Sequence, residues 1–166
     1  LGAFMSTKLF EAKGSLSNLH IGCNEIPEEQ MRVFIAMDKF DVLCAVPIKE
    51  LKANSITELD LAGKSLGVEG ALVLSTYLKA DASGSLSQLD LSGNSIGGTK
   101  GEHGVKAIAE ALQVNKSITE INLASNNFDA ECANLLANAI AAGRLKQLNI
   151  SKNPLNAEGA KELAKA

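Results

Sequence analysis

The chain has no tryptophan, one tyrosine and five phenylalanines in 166 residues, so large aromatic anchors are not what fills its core. Three prolines, Pro27, Pro47 and Pro154, leave long stretches free to form regular structure. The cysteines Cys23, Cys44 and Cys132 are odd in number, widely spaced and without a Cys-x-x-Cys pair. That spacing indicates neither a disulfide framework nor a metal site, and all three read as small buried hydrophobes in a reducing compartment. An excess of one charge is also missing. Sixteen basic against nineteen acidic residues give a net charge of −3 and a pI near 5.4. This excludes the clustered positive field that nucleic-acid binding needs, and a like-charged disordered tail as well. No apolar run approaches the roughly 18 residues that would span a bilayer. Two sequons, at Asn115 and Asn149, carry little weight without a signal peptide. An intracellular, cytoplasmic protein is expected.

What is present is leucine, alanine and a repeat. Hydrophobic residues make up 46% of the chain, enough for one domain with a real core. Five segments fall into register as L-x-x-L-x-L-x-x-N-x-L, starting at Leu16, Ile56, Leu86, Ile118 and Leu145, with spacings of 40, 30, 32 and 27. The central L-x-L has the period of a short strand with one buried face, and stacking such strands gives a parallel sheet. The asparagine that follows, at 24, 94, 126 and 153, is no core residue by hydrophobicity. Its amide is suited to satisfying backbone groups of the turn where water is excluded. A structural ladder of Asn24, Asn94, Asn126 and Asn153 is therefore expected. Lys64 breaks the rule in the second repeat, and its ammonium is expected to point outward with the turn held differently.

Each strand is followed by a helical stripe at offsets of 0, 3, 6 and 7: Ala71, Leu74, Tyr77, Leu78; Val105, Ile108, Ala111, Leu112; Ala133, Leu136, Ala139, Ile140; and Ala160, Leu163, Ala166. Gly70, Gly104 and Gly159 recur just before the stripe, with Cys132 once in their place. The period fits a curved α/β solenoid with parallel strands on the concave face and helices on the convex face. In these segments, and in helices such as Gly70-Ala71-Leu72-Val73-Leu74, the chain resembles leucine-rich-repeat proteins of the ribonuclease-inhibitor type, as in NOD-like receptors and Ran GTPase-activating proteins. The resemblance covers about residues 16–166 and implies a fold more than a function.

Two places break the repeat. Between Leu16 and Ile56, a helix marked by Met31, Phe34 and Met37 fits the stripe, but residues 37–55 are irregular. Leu43–Ile48 mimics the strand motif only 13 residues before Ile56, so it is not counted as a repeat. An enlarged loop on the convex side or edge, with a short helix over 48–53, is expected there. A docking feature is the competing reading. The second break is the glycine-rich stretch 97–104, which lacks the order of a phosphate-binding loop and reads as a surface loop. Met5, Leu9 and Phe10 look like the end of an earlier helix, and 160–166 like a helix cut short. A single solenoid belonging to a longer array is expected.

The variable strand positions point to the concave side. They form a polar ribbon of Asn18, His20, Glu58, Asp60, Gln88, Asp90, Glu120, Asn122, Gln147 and Asn149, acidic at its centre. Another protein with a basic surface is the expected partner, steered by that field. A solvated face with no partner is the plain alternative. Catalysis is not expected. Of the two histidines, His103 has no nucleophile in its sequence context, and His20 has only a conceivable dyad with Asp60. No metal, cofactor, small-molecule substrate, nucleic acid or membrane span is expected. Two other readings stay open. One is a structural subunit docked through its ends and residues 37–55. The other is a GTPase-activating protein by fold analogy alone, for which Arg32 and Arg144 are poorly placed as fingers, since neither lies in a strand motif.

Overall fold

The computed structural model describes residues 14–80, 84–97, 102–141 and 144–166. In chain order the elements are β1 (Asn18–Leu19), α1 (Glu28–Ala36), β2 (Val42–Leu43), β3 (Val46–Pro47), α2 (Ile48–Lys52), β4 (Glu58–Asp60), α3 (Gly67–Lys79), β5 (Gln88–Asp90), α4 (Glu102–Val114), β6 (Glu120–Asn122), α5 (Ala130–Ala141), β7 (Gln147–Asn149) and α6 (Asn156–Leu163). Strands β4-β5-β6-β7 form a parallel sheet in that order, with Leu59, Leu89, Ile121 and Leu148 in register. Each strand is three residues long and is centred on the first apolar residue of the L-x-L pair. Helices α3 to α5 return the chain from one strand to the next, and α6 follows β7. Parallel strands repeat about every 4.8 Å and packed helices every 8–10 Å, so the stack bends toward its strands. The result is a curved solenoid with the sheet on the inner face.

One apolar core runs from Met31 to Ala139. The stripe residues of α3 and α4 are all buried, as are Ala133, Leu136 and Ala139 of α5. The last stripe is different: Ala160 and Ala166 are exposed and Leu163 is half-buried, because no helix of the described chain packs on that side. Gly104 shows why the residue before a stripe is small. A Cβ there would come 2.5 Å from the Ile96 carbonyl oxygen, where the helix closes on its own turn.

The turn after each strand has a fixed form. Its eighth and tenth positions take positive φ, at Cys23 and Glu25, Gly63 and Ser65, Gly93 and Ser95, and Ser125 and Asn127. In the last repeat Lys152 does so, but Pro154 occupies the tenth position, where its ring forbids positive φ, and Asn156 takes it instead.

The segment 37–55 corrects an expectation. In place of the expected enlarged loop on the convex side or edge, it forms a β-hairpin and a short helix. Val42–Leu43 pairs in parallel with β1, and Val46–Pro47 folds back on it antiparallel through the two-residue turn Cys44-Ala45, both at positive φ. Asp41 and Val42 N–H donate to the Ser17 carbonyl, just as Ser87 and Gln88 N–H donate to Thr57. The hairpin thus fills a strand slot beside β1 without completing a repeat. Leu43, Cys44, Val46, Ile48 and Leu51 face the core, and the short helix α2 stands where one was expected. The expectations at Met5, Leu9 and Phe10, and those for 98–101 in the glycine-rich loop, lie outside the described residues.

Candidate protein-interaction face

The inner face of the β4–β7 sheet carries two rows, fixed by register. The third positions align as Glu58, Gln88, Glu120 and Gln147, and the fifth as Asp60, Asp90, Asn122 and Asn149. Together they line a shallow depression of about 370 Å³. Asn18 and His20 are not part of this sheet. Asn18 lies on β1, which pairs with β2 rather than β4, and His20 just follows that strand, so the ribbon is divided between two parts of the fold.

The two rows do different work. Each fifth-position side chain accepts a hydrogen bond from the N–H two residues on: Asp60 from Ala62 (2.9 Å), Asp90 from Ser92 (2.8 Å), Asn122 from Ala124 (3.2 Å) and Asn149 from Ser151 (3.1 Å). These are Asx turns that close the strand end. Asp90 also accepts from the Ser92 hydroxyl (2.7 Å) and from the Asn122 amide (2.9 Å). Partial burial pushes its pKa up, but the bonds from Ser92 and Asn122 outweigh this and hold the carboxyl below its ordinary value. The signal in the sequence is Asp or Asn two residues before Ala or Ser, a spacing that suits an Asx turn as well as a polar surface. The third-position side chains are not so engaged. Glu58 and Gln88 are exposed and Glu120 is half-buried.

Behind the face, the asparagines tie one layer to the next. Asn94 and Asn126 are fully buried, so every polar atom of their amides needs a partner. Asn126 Nδ2 donates to the Leu91, Leu123 and Ala124 carbonyls, while its Oδ1 accepts from Asn94 N–H (3.1 Å) and Ile96 N–H (3.3 Å). Asn153 repeats the pattern, accepting from Asn126 (2.7 Å) and Phe128 (3.1 Å). Asn94 accepts from Leu66 N–H (3.3 Å) and donates to Leu61, Leu91 and Ser92. At the first repeat, Asn24 donates to the Ile21 and Gly22 carbonyls. Lys64 is exposed.

The other candidate groups are held in structural roles. His20 is not paired with Asp60: its Nε2 lies 3.0 Å from the Lys64 carbonyl oxygen, and its Nδ1 accepts from Gly22 N–H. Cys23 is exposed, against the expectation of burial, because it sits at the open edge of the first turn. Partial burial and then the Glu69 charge lift its thiol above the ordinary value, which disfavours the reactive thiolate. Cys44 and Cys132 are buried, and burial pushes each to about 11. Arg32 pairs with Glu28 on its own helix. Asn115 is buried and caps the turn before β6 through Ser117 and Ile118, so it is no glycan acceptor in the folded chain. Sequence reasoning missed Asp129. Its carboxylate accepts from Glu131 and Cys132 N–H and caps α5, and those bonds hold its pKa down. Among the described residues, no three or more metal-ligating groups converge, and no helix is long and apolar enough to cross a membrane.

Comparison with known proteins agrees with this geometry. Two family models match, Leucine Rich Repeat over residues 85–103 and Leucine Rich repeat over residues 145–164. Among solved structures, the chain is similar to Leiomodin-1 Actin-Binding Site 2 (ABS2), with a TM-score of 0.58 and 21% identity over 73% of this chain and 70% of that one. No curated protein matches the sequence. With five copies of the motif, a parallel sheet in register and helices on the outer side, the chain has the leucine-rich-repeat fold, and two of its repeats match leucine-rich-repeat models.

Proposed function

We propose that the chain is a non-catalytic protein-interaction module that receives a protein with a basic surface on its inner face. The observation that carries this is the third-position row, Glu58, Gln88, Glu120 and Gln147, held at strand spacing with side chains that the fold itself does not use. The fifth row supports the face rather than the partner, since its acceptors are spent on their own turns. Complementary charge of this kind acts mostly on encounter rate and partner choice, and it weakens with salt. The absence of Tyr, Trp and Arg from the rows implies modest affinity. The strand-plus-helix repeat is read as the ribonuclease-inhibitor type, and an intracellular, cytoplasmic setting is part of the same reading.

The test compares the native chain with Glu58→Lys/Glu120→Lys, which reverses the free row and leaves the Asx turns intact. Both are checked by circular dichroism and used to capture partners from a native lysate. Purified actin serves as a defined probe, because the similar leiomodin segment is titled an actin-binding site. A partner retained by the native chain, lost from the variant and released by moderate salt supports the inner face. Retention of the same proteins by both rejects it. That outcome favours a second reading, a subunit docked through its last layer. There β7 has a neighbour on one side only, and Leu145, Leu148, Ile150 and Leu155 are half-buried.

A further inference from the structure

We infer that Glu69 takes the place of the missing ladder asparagine, and that this carboxylate makes the contact between residues 18–30 and the β4–β7 stack a separable joint. Elsewhere the Oδ1 of one asparagine accepts from the N–H of the preceding ladder asparagine and from the N–H two residues further on, as Asn126 does for Asn94 and Ile96. By that rule the Asn24 and Ile26 N–H groups should meet residue 64. Lys64 has no acceptor to offer. Instead Glu69 Oε1, reaching back from α3, accepts from Asn24 N–H (3.1 Å) and Ile26 N–H (2.8 Å), and its Oε2 accepts from Cys23 N–H (3.0 Å). The side chain is 1% exposed, so no water does this work. Gly67 makes room for it: a Cβ there would lie 2.7 Å from both Glu69 Oε2 and Cys23 N.

Around Glu69 the packing is lighter than between the layers of the stack, although the same apolar core continues on both sides. Strand β1 pairs with β2, so no strand ladder crosses from the first sheet to β4. Helix α1 packs on α3 far less extensively than α3 packs on α4. A hollow of about 640 Å³, lined in part by Ile26, Pro27, Val68 and Leu72, runs along the seam. Other polar ties include His20 and the Cys23 thiol to the carbonyls of Lys64 and Ser65 and a marginal Glu28–His103 approach of 4.0 Å, while further along the chain Asn54 holds Ser85 (2.7 Å) and Lys52 lies over the Tyr77 ring. Opening the joint would carry Asn18 and His20 away from the inner face while leaving the β4–β7 rows in place. The joint therefore sets how far that face extends. This holds whether or not the face binds a partner.

The test is hydrogen-exchange mass spectrometry on the full chain. Glu69→Ala is expected to speed exchange in the segment 20–30 at least tenfold, with β5, β6 and α4 unchanged. Glu69→Gln, which keeps Oε1 as an acceptor, gives a smaller rise in the same segment and serves if the alanine variant does not fold. Adding Lys64→Asn to Glu69→Ala restores protection to within about threefold of the native chain, since it returns the acceptor to its place in the ladder. A uniform rise along the whole chain, no rise at 20–30, or no rescue by Lys64→Asn (itself folded in the native background) each overturns the assignment.

Discussion

Asp90 accepts hydrogen bonds from its own turn, through Ser92, and from the neighbouring strand, through Asn122, so its ionised form is favoured in the folded chain. A carboxyl whose folded pKa is depressed adds stability that is fully present above its unfolded value, about 3.9, and is lost as pH falls through the folded value. Asp90→Asn keeps an acceptor for Ser92 but carries no charge. Urea midpoints should show the native chain more stable than Asp90→Asn at pH 7, and the difference should shrink as pH falls below about 4 and vanish once Asp90 protonates in the folded chain. A difference that persists unchanged to low pH would mean that shape, not charge, is what the site uses. The same residue shows what a sequence conceals. Asp60 and Asp90 looked like the acidic heart of a binding ribbon, and their turn bonds depend on a backbone conformation that composition does not reveal.

At the scale of the element, the turn after each strand places its eighth residue at positive φ whatever its type. Glycine fills the place at 63 and 93, whereas Ser125 and Lys152 hold it at φ of 56°. A Cβ added at Gly93 meets nothing nearer than 3.8 Å, so the conformation alone decides the effect. Gly93→Ala should cost about 1 kcal/mol, the left-handed penalty. Ser125→Gly should gain up to about 0.5 kcal/mol, because relief of that penalty is offset by the freedom glycine adds to the unfolded chain. Thermal melting of the two variants checks both signs. The turn, strand and helix of each repeat were legible because five copies agree, and agreement separates pattern from accident. The hairpin Val42–Pro47 was not. Its strands are two residues each, and their place is set by pairing with β1, a contact that no local period records. Glu69 was hidden for the same reason: on a helix it reads as one more polar residue, and only its distance to the turn at 23–26 reveals its use.

For the whole molecule, stability in a stack of layers is a sum over neighbours, and layers with two neighbours keep their hydrogen bonds best. Strands β5 and β6 have a strand on each side, while β7 has one, and the stripe of α6 is largely uncovered. Amide exchange should therefore be slowest in β5 and β6 and at least tenfold faster in β7 and α6, in a single native sample followed by mass spectrometry. Equal rates along the stack would show that it opens as one unit.

The asparagine ladder also has a direction. Along the ladder each layer hands its spare N–H groups to a side-chain acceptor on the layer that follows. A stack built this way is a file of hooks all facing one way. Removing a layer from its leading side leaves an idle acceptor, which tolerates neglect. Removing one from its trailing side strands donors, which do not. Leu155 shows the remedy in small, turning its N–H back onto the Asn153 carbonyl at 2.9 Å. Two ends that look alike in outline are therefore unequal in chemistry, and a graft at the trailing side has to bring its own acceptor.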